Sequence, residues 1–213
     1  MSETTTIYLI RHGETVWNAD HDRYCGWTDV SLSERGREQL KRLAERFRGV
    51  RLDRICASPL KRAVETAQAV AAGRGIRVEQ VKGLIECHFG EWEGLTREEI
   101  RQRDPERYQL WRDRPSEVLL PGGETYAQVA QRFKQSMLDI VNQSQPGSHV
   151  LVVAHKTSIR LFLSDVLGAP LDHSRLMELD NTGVSVLRYE QIRGDSREFV
   201  IVNMNDTNHL TGL

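Results

Sequence analysis

An apolar run stops at a histidine in Ile7-Tyr-Leu-Ile-Arg-His-Gly-Glu-Thr15, and the pattern returns in Val150-Leu-Val-Val-Ala-His155. Short runs rich in β-branched residues are typical of buried strands. In open α/β sheets, ligands bind outside the carboxyl ends of the strands. Two strands that end in histidine therefore predict one ligand site for His12 and His155. Arg11 lies next to this site, and burying it would be costly without an anionic partner.

The composition fits a globular protein that is large enough to bury a core. The 213 residues are 39% hydrophobic and 28% charged. With a formal net charge of -1, the chain has no general basic surface for nucleic acid or for an anionic membrane, so we expect neither partner. Cys25, Cys56 and Cys87 fit neither a disulfide framework nor a CxxC zinc site, which favours the reducing cytoplasm. We recognise no signal peptide and no membrane span.

Strand and helix patterns alternate along the chain, which we interpret as a single domain over residues 1–213. We predict strands at residues 5–10, 54–57, 76–81, 150–154, 183–189 and 199–204, with a turn at Arg193-Gly-Asp195 joining the last two. Amphipathic helices follow the first, second and fourth strands, and a long one begins near Glu124. The alternation predicts a three-layer α/β/α sandwich. The polar segment 86–123 is expected to form short helices and loops.

Two helix starts are predicted from capping residues. Ser31-Leu-Ser-Glu34 has the pattern of a capping box, and Ser58-Pro59 places serine at an N-cap and proline at the first helical position. Lys61 and Arg62 then fall in a first turn, where cations are disfavoured unless an anion is bound there. Lys156 stands at a similar strand-to-helix turn.

These positions predict a compact positive pocket. Its members are Arg11, His12, Arg62 and His155. The planar fork of arginine suits phosphate, and fixed donors can hold the oxygens of a phosphoryl group in transfer. Histidine can act as a nucleophile, an acid or a base. We interpret His21, His149 and His173 as surface or structural residues.

Further motifs run in order along nearly the whole chain. They are Leu9-Ile-Arg-His-Gly-Glu-Thr15 with Asn18, Gly26-Trp-Thr-Asp29, Leu32-Ser-Glu-Arg-Gly36, Ser58-Pro-Leu-Lys-Arg-Ala63 with Glu65-Thr66, Glu86 with Gly90-Glu-Trp-Glu-Gly94, Gly122-Gly-Glu124 and Ala154-His155. Together they resemble the signature of the histidine phosphatase superfamily, also called phosphoglycerate-mutase-like. The resemblance implies a mixed, mostly parallel sheet in the α/β/α sandwich and a place in the small, cofactor-independent phosphatase branch.

The resemblance also implies a role for each matched residue. His12 would be the nucleophile that forms a phosphohistidine. Glu86 would protonate the leaving oxygen and later deprotonate the attacking water. The phosphoryl oxygens would be held by four other side chains, Arg11, Asn18, Arg62 and His155. No metal or other cofactor is required, because the arginines and imidazoles neutralise the charge.

Substrate contacts are expected from residues near these motifs, namely Cys25, Gly26, Trp27, His88, Lys156 and His209. Lys156 departs from the glycine that family members often have after the second histidine, and it would be strained if that position needed φ > 0. A lid within residues 86–123, with the aromatic residues Tyr24, Trp27, Trp92 and Trp111, could exclude water until substrate binds. Alternatively, Trp92 and Trp111 simply pack this segment onto the core.

Three activities compete. The preferred one is a phosphomonoesterase for a small phosphorylated metabolite, with phosphoserine as first choice and α-ribazole or sugar phosphates as alternatives. A phosphoglycerate mutase is supported by Gly26-Trp-Thr-Asp29. Against it, mutases of the family are longer and carry an extra basic segment after the Glu86 motif, whereas residues 98–107 are mixed in charge. A non-catalytic phosphate-binding module would be expected to lack His12, Arg62, Glu86 or His155, and all four are present. We also expect a homodimer.

Overall fold

The computed structural model describes residues 4–193 and 196–213. In this part of the chain, six strands form one sheet, in the order β3-β2-β4-β1-β5-β6. Their bounds are Thr5–Arg11 (β1), Arg54–Ala57 (β2), Val78–Gln80 (β3), His149–Ala154 (β4), Val184–Arg193 (β5) and Ser196–Asp206 (β6). β3, β2, β4 and β1 are parallel, β5 is antiparallel to β1, and β6 is antiparallel to β5. The expectation of a mixed, mostly parallel sheet is confirmed. The turn predicted at Arg193-Gly-Asp195 includes residues 194 and 195, which lie outside the described residues.

Helices cover both faces of this sheet. The α-helices are Val16–Ala19 (α1), Glu34–Phe47 (α2), Lys61–Ala71 (α3), Arg97–Arg103 (α4), Pro105–Asp113 (α5), Tyr126–Asn142 (α6) and Lys156–Val166 (α7). Short 3-10 helices lie at Lys82–Leu84, Gly90–Trp92, Pro115–Glu117, Leu171–Leu176 and Asn208–Leu210. One core cluster joins α2 and α3 to the sheet, and another joins α6 and α7 to its opposite face. This arrangement is the predicted three-layer sandwich. None of the helices described is long and apolar enough to cross a membrane.

Side chains of the central strand β1 point alternately to the two faces of the sheet and so contribute to both core clusters. Ile7 and Leu9 belong to the cluster under α6 and α7, whereas Ile10 belongs to the cluster under α2 and α3. A parallel strand that is buried on both faces carries an almost continuous apolar sequence, as residues 7–10 do. The polar residues that follow, Arg11 and His12, are therefore delivered to the carboxyl edge of the sheet.

A third cluster lies under the polar segment 86–123. It contains Phe89, Trp92 and Trp111, which pack against Tyr126 and Val129 of α6. Trp92 and Trp111 are each only 3% exposed. These two tryptophans thus pack the segment onto the core, and its role as a lid stays a prediction.

The structure corrects both predicted helix starts. The N-cap of α2 is Ser33, whose hydroxyl accepts from the Gly36 N–H, so Ser31 caps nothing. Ser58 is not the cap of α3 either, because Pro59 and Leu60 precede the helix and Leu60 has the extended ψ of 136°. The first N–H of α3, at Lys61, instead donates to the Asp29 carboxylate at 2.9 Å. A distant side chain therefore caps this helix, which local sequence could not reveal.

Candidate active site

The two histidines that follow β1 and β4 lie side by side. These strands are parallel neighbours with Arg11 opposite Ala154, so the residues that follow them emerge at one edge. The ring centroids of His12 and His155 are 5.0 Å apart. Both side chains are buried. The fold thus brings together the two strand ends that the sequence singles out.

The hydrogen bonds of His12 define its reactive nitrogen. Nδ1 lies 2.7 Å from the Gly13 carbonyl oxygen, and since a carbonyl only accepts, Nδ1 carries the proton. Burial holds the pKa of His12 well below 6.5, and the charges of Arg62 and Arg11 lower it further. The imidazole is therefore neutral near pH 7, with its lone pair on Nε2. This is the form required of a nucleophile.

His155 is fully buried beside His12 and is oriented by Ser58. Its Nε2 lies 2.7 Å from the Ser58 hydroxyl, and that hydroxyl also accepts from the Leu60 N–H at 3.4 Å. If the hydroxyl donates to Nε2, then Nδ1 carries the proton of the neutral ring. Nδ1 has no hydrogen-bond partner among the described residues. Sequence reasoning assigned Ser58 to helix capping and so missed its contact with His155.

Two buried guanidiniums stand around His12. Arg11 donates to the Leu179 carbonyl at 2.8 Å, and Arg62 donates to the Thr28 and Gly26 carbonyls at 2.9 and 2.7 Å. Burial lowers the pKa of both guanidiniums. In each, Nε is buried and without a partner among the described residues. Because a buried charge costs several kcal/mol unless it is paired, these nitrogens indicate a site for an oxyanion.

Glu86 is a buried carboxylate whose charge acts on both guanidiniums, and it is fixed at the N-terminus of α7. Its Oε1 accepts from the N–H groups of Cys87 and Ser158 at 2.8 and 2.9 Å, and its Oε2 accepts from the Thr157 N–H at 3.1 Å. The helix end favours a negative charge at this place. The charges of Asp22 and Glu86 both act on Arg11, but neither Arg11 nor Arg62 forms an ion pair among the described residues, so both guanidiniums stay available to an anionic ligand.

His12, Arg11, Arg62 and Glu86 line a cavity of about 390 Å³, whereas His155 is buried behind this wall and is not one of its lining residues. Of the residues expected to bind phosphate or substrate, seven line it beside Glu86, and they are Arg11, His12, Asn18, Cys25, Gly26, Arg62 and Lys156. Asn18 is held by the capping box of α1, where its Oδ1 accepts from the Thr15 N–H at 3.2 Å. Burial raises the pKa of the Cys25 thiol, so this thiol is neutral. Gly26 has a φ of +46°, and a Cβ there would meet the carboxylate of Glu93.

Lys156 occupies its place without backbone strain. It is the first residue of α7 and is not among the described residues with positive φ. The glycine often found here in related proteins is therefore not needed for its backbone freedom in this chain. Burial lowers the pKa of the Lys156 ammonium, and the charges of Arg11 and Arg160 lower it further. The side chain lines the same cavity as Arg11, Arg62 and Arg160.

Three of the expected substrate-binding residues lie away from the cavity wall. The Trp27 ring stacks on His88 with centroids 4.6 Å apart, and its Nε1 donates to the Glu86 carbonyl at 2.8 Å. His209 lies against α2, with Nδ1 3.2 Å from Arg46 and Nε2 3.1 Å from the Thr182 hydroxyl. Burial lowers the pKa of His209 to about 4. This geometry gives no support to substrate contacts from these three side chains.

Sequence reasoning also missed the loop that holds the end of β1. The Asn181 side chain donates to the His12 carbonyl at 2.9 Å, and the Thr182 N–H donates to the Arg11 carbonyl at 2.9 Å. Thr182 has a φ of +59°, which is unusual for a β-branched residue. The first contact joins positions 169 apart, so no local pattern could have shown it.

Acidification should destabilise the fold through the buried histidines. Burial and the charge of Arg62 hold the pKa of His12 and His155 well below 6.5. Below pH 6.5 these histidines bind protons in the unfolded chain but stay neutral in the folded chain. Protonation therefore favours unfolding, and stability that is present above pH 6.5 is lost as the pH falls. Between pH 7 and 5, each such histidine should therefore lower the free energy of unfolding.

Urea unfolding of His155→Gln checks this prediction. The free energy of unfolding of the variant should fall less than that of wild type between pH 7 and 5. His173→Gln replaces an exposed histidine and should keep the wild-type dependence. An unchanged dependence in His155→Gln would refute a neutral, buried imidazole at this position.

Comparisons with known proteins agree with this site. The family model "Histidine phosphatase superfamily (branch 1)" matches residues 7–207. Phosphoserine phosphatase 1 of Hydrogenobacter thermophilus is 35% identical over 204 residues, which cover 96% of this chain and 93% of that protein. Probable phosphoglycerate mutase GpmB of Erwinia tasmaniensis is 29% identical over 204 residues, which cover 96% of this chain and 94% of that protein.

A solved structure shows the same fold. YhfR of Bacillus stearothermophilus aligns with a TM-score of 0.88 at 35% sequence identity, covering 97% of this chain and 99% of that one. The similarity therefore extends over the sheet, both helical layers and the segment 86–123.

Proposed function

This chain belongs to branch 1 of the histidine phosphatase superfamily, and from that premise we propose that it hydrolyses a small phosphomonoester, preferably phosphoserine, through a phosphohistidine on His12. One observation carries the proposal. His12 presents the lone pair of a neutral imidazole beside two buried guanidiniums whose Nε atoms have no partner among the described residues. This combination supplies a nucleophile and an oxyanion site in one cavity.

The proposed reaction has two steps. In the first, His12 Nε2 attacks phosphorus, the ester P–O bond breaks, and the leaving oxygen takes a proton from the Glu86 carboxyl. In the second, water attacks phosphorus, the N–P bond breaks, and the Glu86 carboxylate takes a proton from the water. Arg11 and Arg62 hold the phosphoryl oxygens in both steps, since fixed donors stabilise the charge spread over them.

Two neutral groups complete the oxyanion site in this proposal. The N–H at His155 Nδ1 would donate to a phosphoryl oxygen, with Ser58 keeping the ring in the required tautomer. The side-chain amide of Asn18, in the single turn of α1, would add another donor. The described residues contain no group of three or more His, Cys, Asp and Glu side chains that could hold a metal ion, and metal independence stays a prediction.

Phosphoserine is supported by the Hydrogenobacter relative, which carries that activity in its name. The cavity of about 390 Å³ is at the small end of the range for ligand pockets, which suits a metabolite of this size. α-Ribazole and sugar phosphates remain alternatives within the same reaction class.

Mutase activity is the second candidate, and one observation favours it. The Erwinia relative named as a probable phosphoglycerate mutase matches this chain over 94% of its own length. The expectation that mutases are longer therefore does not separate this chain from that relative. A mutase would use the same phosphohistidine but return the phosphoryl group to substrate before water attacks.

A screen of phosphate release distinguishes these candidates. Phosphoserine, 3-phosphoglycerate, sugar phosphates and α-ribazole phosphate are compared, in parallel with interconversion of 2- and 3-phosphoglycerate. We expect phosphoserine to give the largest kcat/KM, with activity unchanged by EDTA. A rate of 2- and 3-phosphoglycerate interconversion that exceeds the rate of phosphate release would favour the mutase. No turnover in either assay would revive the binding-module hypothesis.

Two further expectations complete the proposal. Cys25, Cys56 and Cys87 are all free thiols, which supports the reducing cytoplasm as the location. The homodimer stays a prediction that light scattering of the purified chain would test.

A further inference from the structure

Two cations of α7 share one exposed carboxylate at the cavity wall. Lys156 and Arg160 are four positions apart, so they lie on the same side of the helix, and both line the cavity. Oε2 of Glu178 lies 3.1 Å from Arg160 Nη2 and 3.7 Å from Lys156 Nζ. The Glu178 side chain is 76% exposed, whereas that of Arg160 is 14% exposed. Water competes strongly for such a carboxylate, so Glu178 is held weakly.

Apart from Arg11 and Arg62 of the proposed phosphoryl site, the other cations of the wall have partners of their own. They are Arg23 with Asp20 and Glu99, Arg97 with Asp22, Arg112 with Asp113, and Arg175 over the ring of Trp111. Lys156 and Arg160 differ from all of these, because two cations depend on a single carboxylate. Positive charge in excess of its partners therefore concentrates on this pair.

Lys156 also stands where a cation is disfavoured. It is the first residue of α7, at the positive end of the helix dipole, and the Glu86 carboxylate there is already bonded to the N–H groups of Thr157 and Ser158. Nε of Arg160 is buried and has no hydrogen-bond partner among the described residues. Lys156 and Arg160 line the same cavity as Arg11 and His12, and the pKa of Lys156 is lowered by burial and further by the charge of Arg11. A second anionic group on the ligand would relieve all three costs.

We propose that Lys156 and Arg160 bind a carboxylate of the substrate, which replaces the Glu178 carboxylate between their head groups. This inference rests on the proposed phosphomonoesterase function and adds a substrate class to it. The enzyme selects phosphomonoesters with a carboxylate on the same short carbon skeleton. Glu178 shows that a carboxylate fits between the two cations, and the guanidinium of Arg160 retains an unused Nε for a second hydrogen bond.

A pair of matched substrates measures this selection. 3-Phosphoglycerate and glycerol 3-phosphate differ at one carbon, which is a carboxylate in the first and a hydroxymethyl group in the second. We expect wild type to prefer the carboxylate substrate in kcat/KM by about tenfold to a hundredfold, the range for hydrogen bonds to charged groups. Lys156→Gln and Arg160→Gln should each reduce this preference by about tenfold.

Two more variants make the test independent of folding defects. Glu178→Gln removes the competing carboxylate and should lower KM for 3-phosphoglycerate, a gain that a misfolded protein could not show. Arg112→Gln removes a cation of the wall that has its own carboxylate, and it should leave the preference unchanged.

The outcomes separate this inference from the proposed function. Equal use of the two substrates by wild type, with both turned over, would overturn the carboxylate subsite alone. A preference that falls no further in Lys156→Gln than in Arg112→Gln would also overturn it. If wild type hydrolyses neither substrate, nor phosphoserine, nor p-nitrophenyl phosphate, the proposed function fails and the inference fails with it.

Discussion

His12→Ala should reduce phosphate release from phosphoserine by about 10⁴-fold or more, the scale seen when a catalytic nucleophile is removed. The variant loses the only step that joins phosphorus to the protein in the proposed cycle. It keeps Arg11 and Arg62, whose contacts with the Leu179, Thr28 and Gly26 carbonyls do not involve the imidazole. We therefore expect phosphoserine to bind still, as measured by titration calorimetry.

A matched variant controls for the loss of an imidazole. His173→Ala removes an exposed histidine and should keep wild-type turnover. The combination of retained binding and lost turnover in His12→Ala would assign the defect to chemistry. Substantial residual hydrolysis by His12→Ala would rule out His12 as the nucleophile.

Glu86→Gln should slow hydrolysis of phosphoserine by about 10²- to 10⁴-fold, the usual contribution of a general acid or base. A glutamine can neither protonate the serine oxygen nor deprotonate water. The nitrophenolate of p-nitrophenyl phosphate leaves without a proton, so with this substrate the first step should survive. The variant should then show a burst of nitrophenol, followed by slow turnover limited by the second step.

The Glu86 change also carries a structural cost that must be separated from the chemical one. The carboxylate accepts from three N–H groups, and a glutamine leaves at least one buried donor without its partner, at about 1–3 kcal/mol. Glu124→Gln is a matched control, because Glu124 accepts from the His88 N–H and from Arg132 and does not line the cavity. If Glu124→Gln reproduced the burst, the burst would not report on Glu86 chemistry.

Much of the fold follows from apolar periodicity. Residues 7–10 and 150–154 are apolar throughout, and such strands lie in the middle of a sheet covered on both faces. The same runs locate His12 and His155, because a buried strand that ends in a polar residue must deliver it to the edge. Local capping patterns were less reliable. Ser58 was wrongly assigned to a helix cap, since its actual partner, His155, is 97 positions away.

The division of roles in the site required more than spacing. Glu86 is one glutamate among many by composition, and only the family resemblance singled it out. In the structure, three backbone N–H groups donate to its carboxylate and fix it beside the histidines. The contacts of Asn181 and Thr182 could not be predicted for the same reason as that of Ser58. Residues that meet from distant parts of the chain produce no periodic pattern in the sequence.

Lys156 illustrates the reverse case. The sequence has Lys156 where related proteins often have glycine, which predicts backbone strain if that position needs a positive φ. The helical backbone at Lys156 excludes this strain. What remains is the side chain, whose pairing with Arg160 four residues later now carries the substrate-class proposal.

Trapping of the phosphorylated enzyme tests the central claim most directly. Glu86→Gln is mixed with p-nitrophenyl phosphate, quenched in alkali, where phosphohistidine survives, and analysed by peptide mass spectrometry. We predict a single phosphoryl group on His12, formed within the burst and absent when His12 is also replaced by alanine. A burst of nitrophenol without phosphoprotein, or a phosphoryl group on His155 instead of His12, would contradict the mechanism.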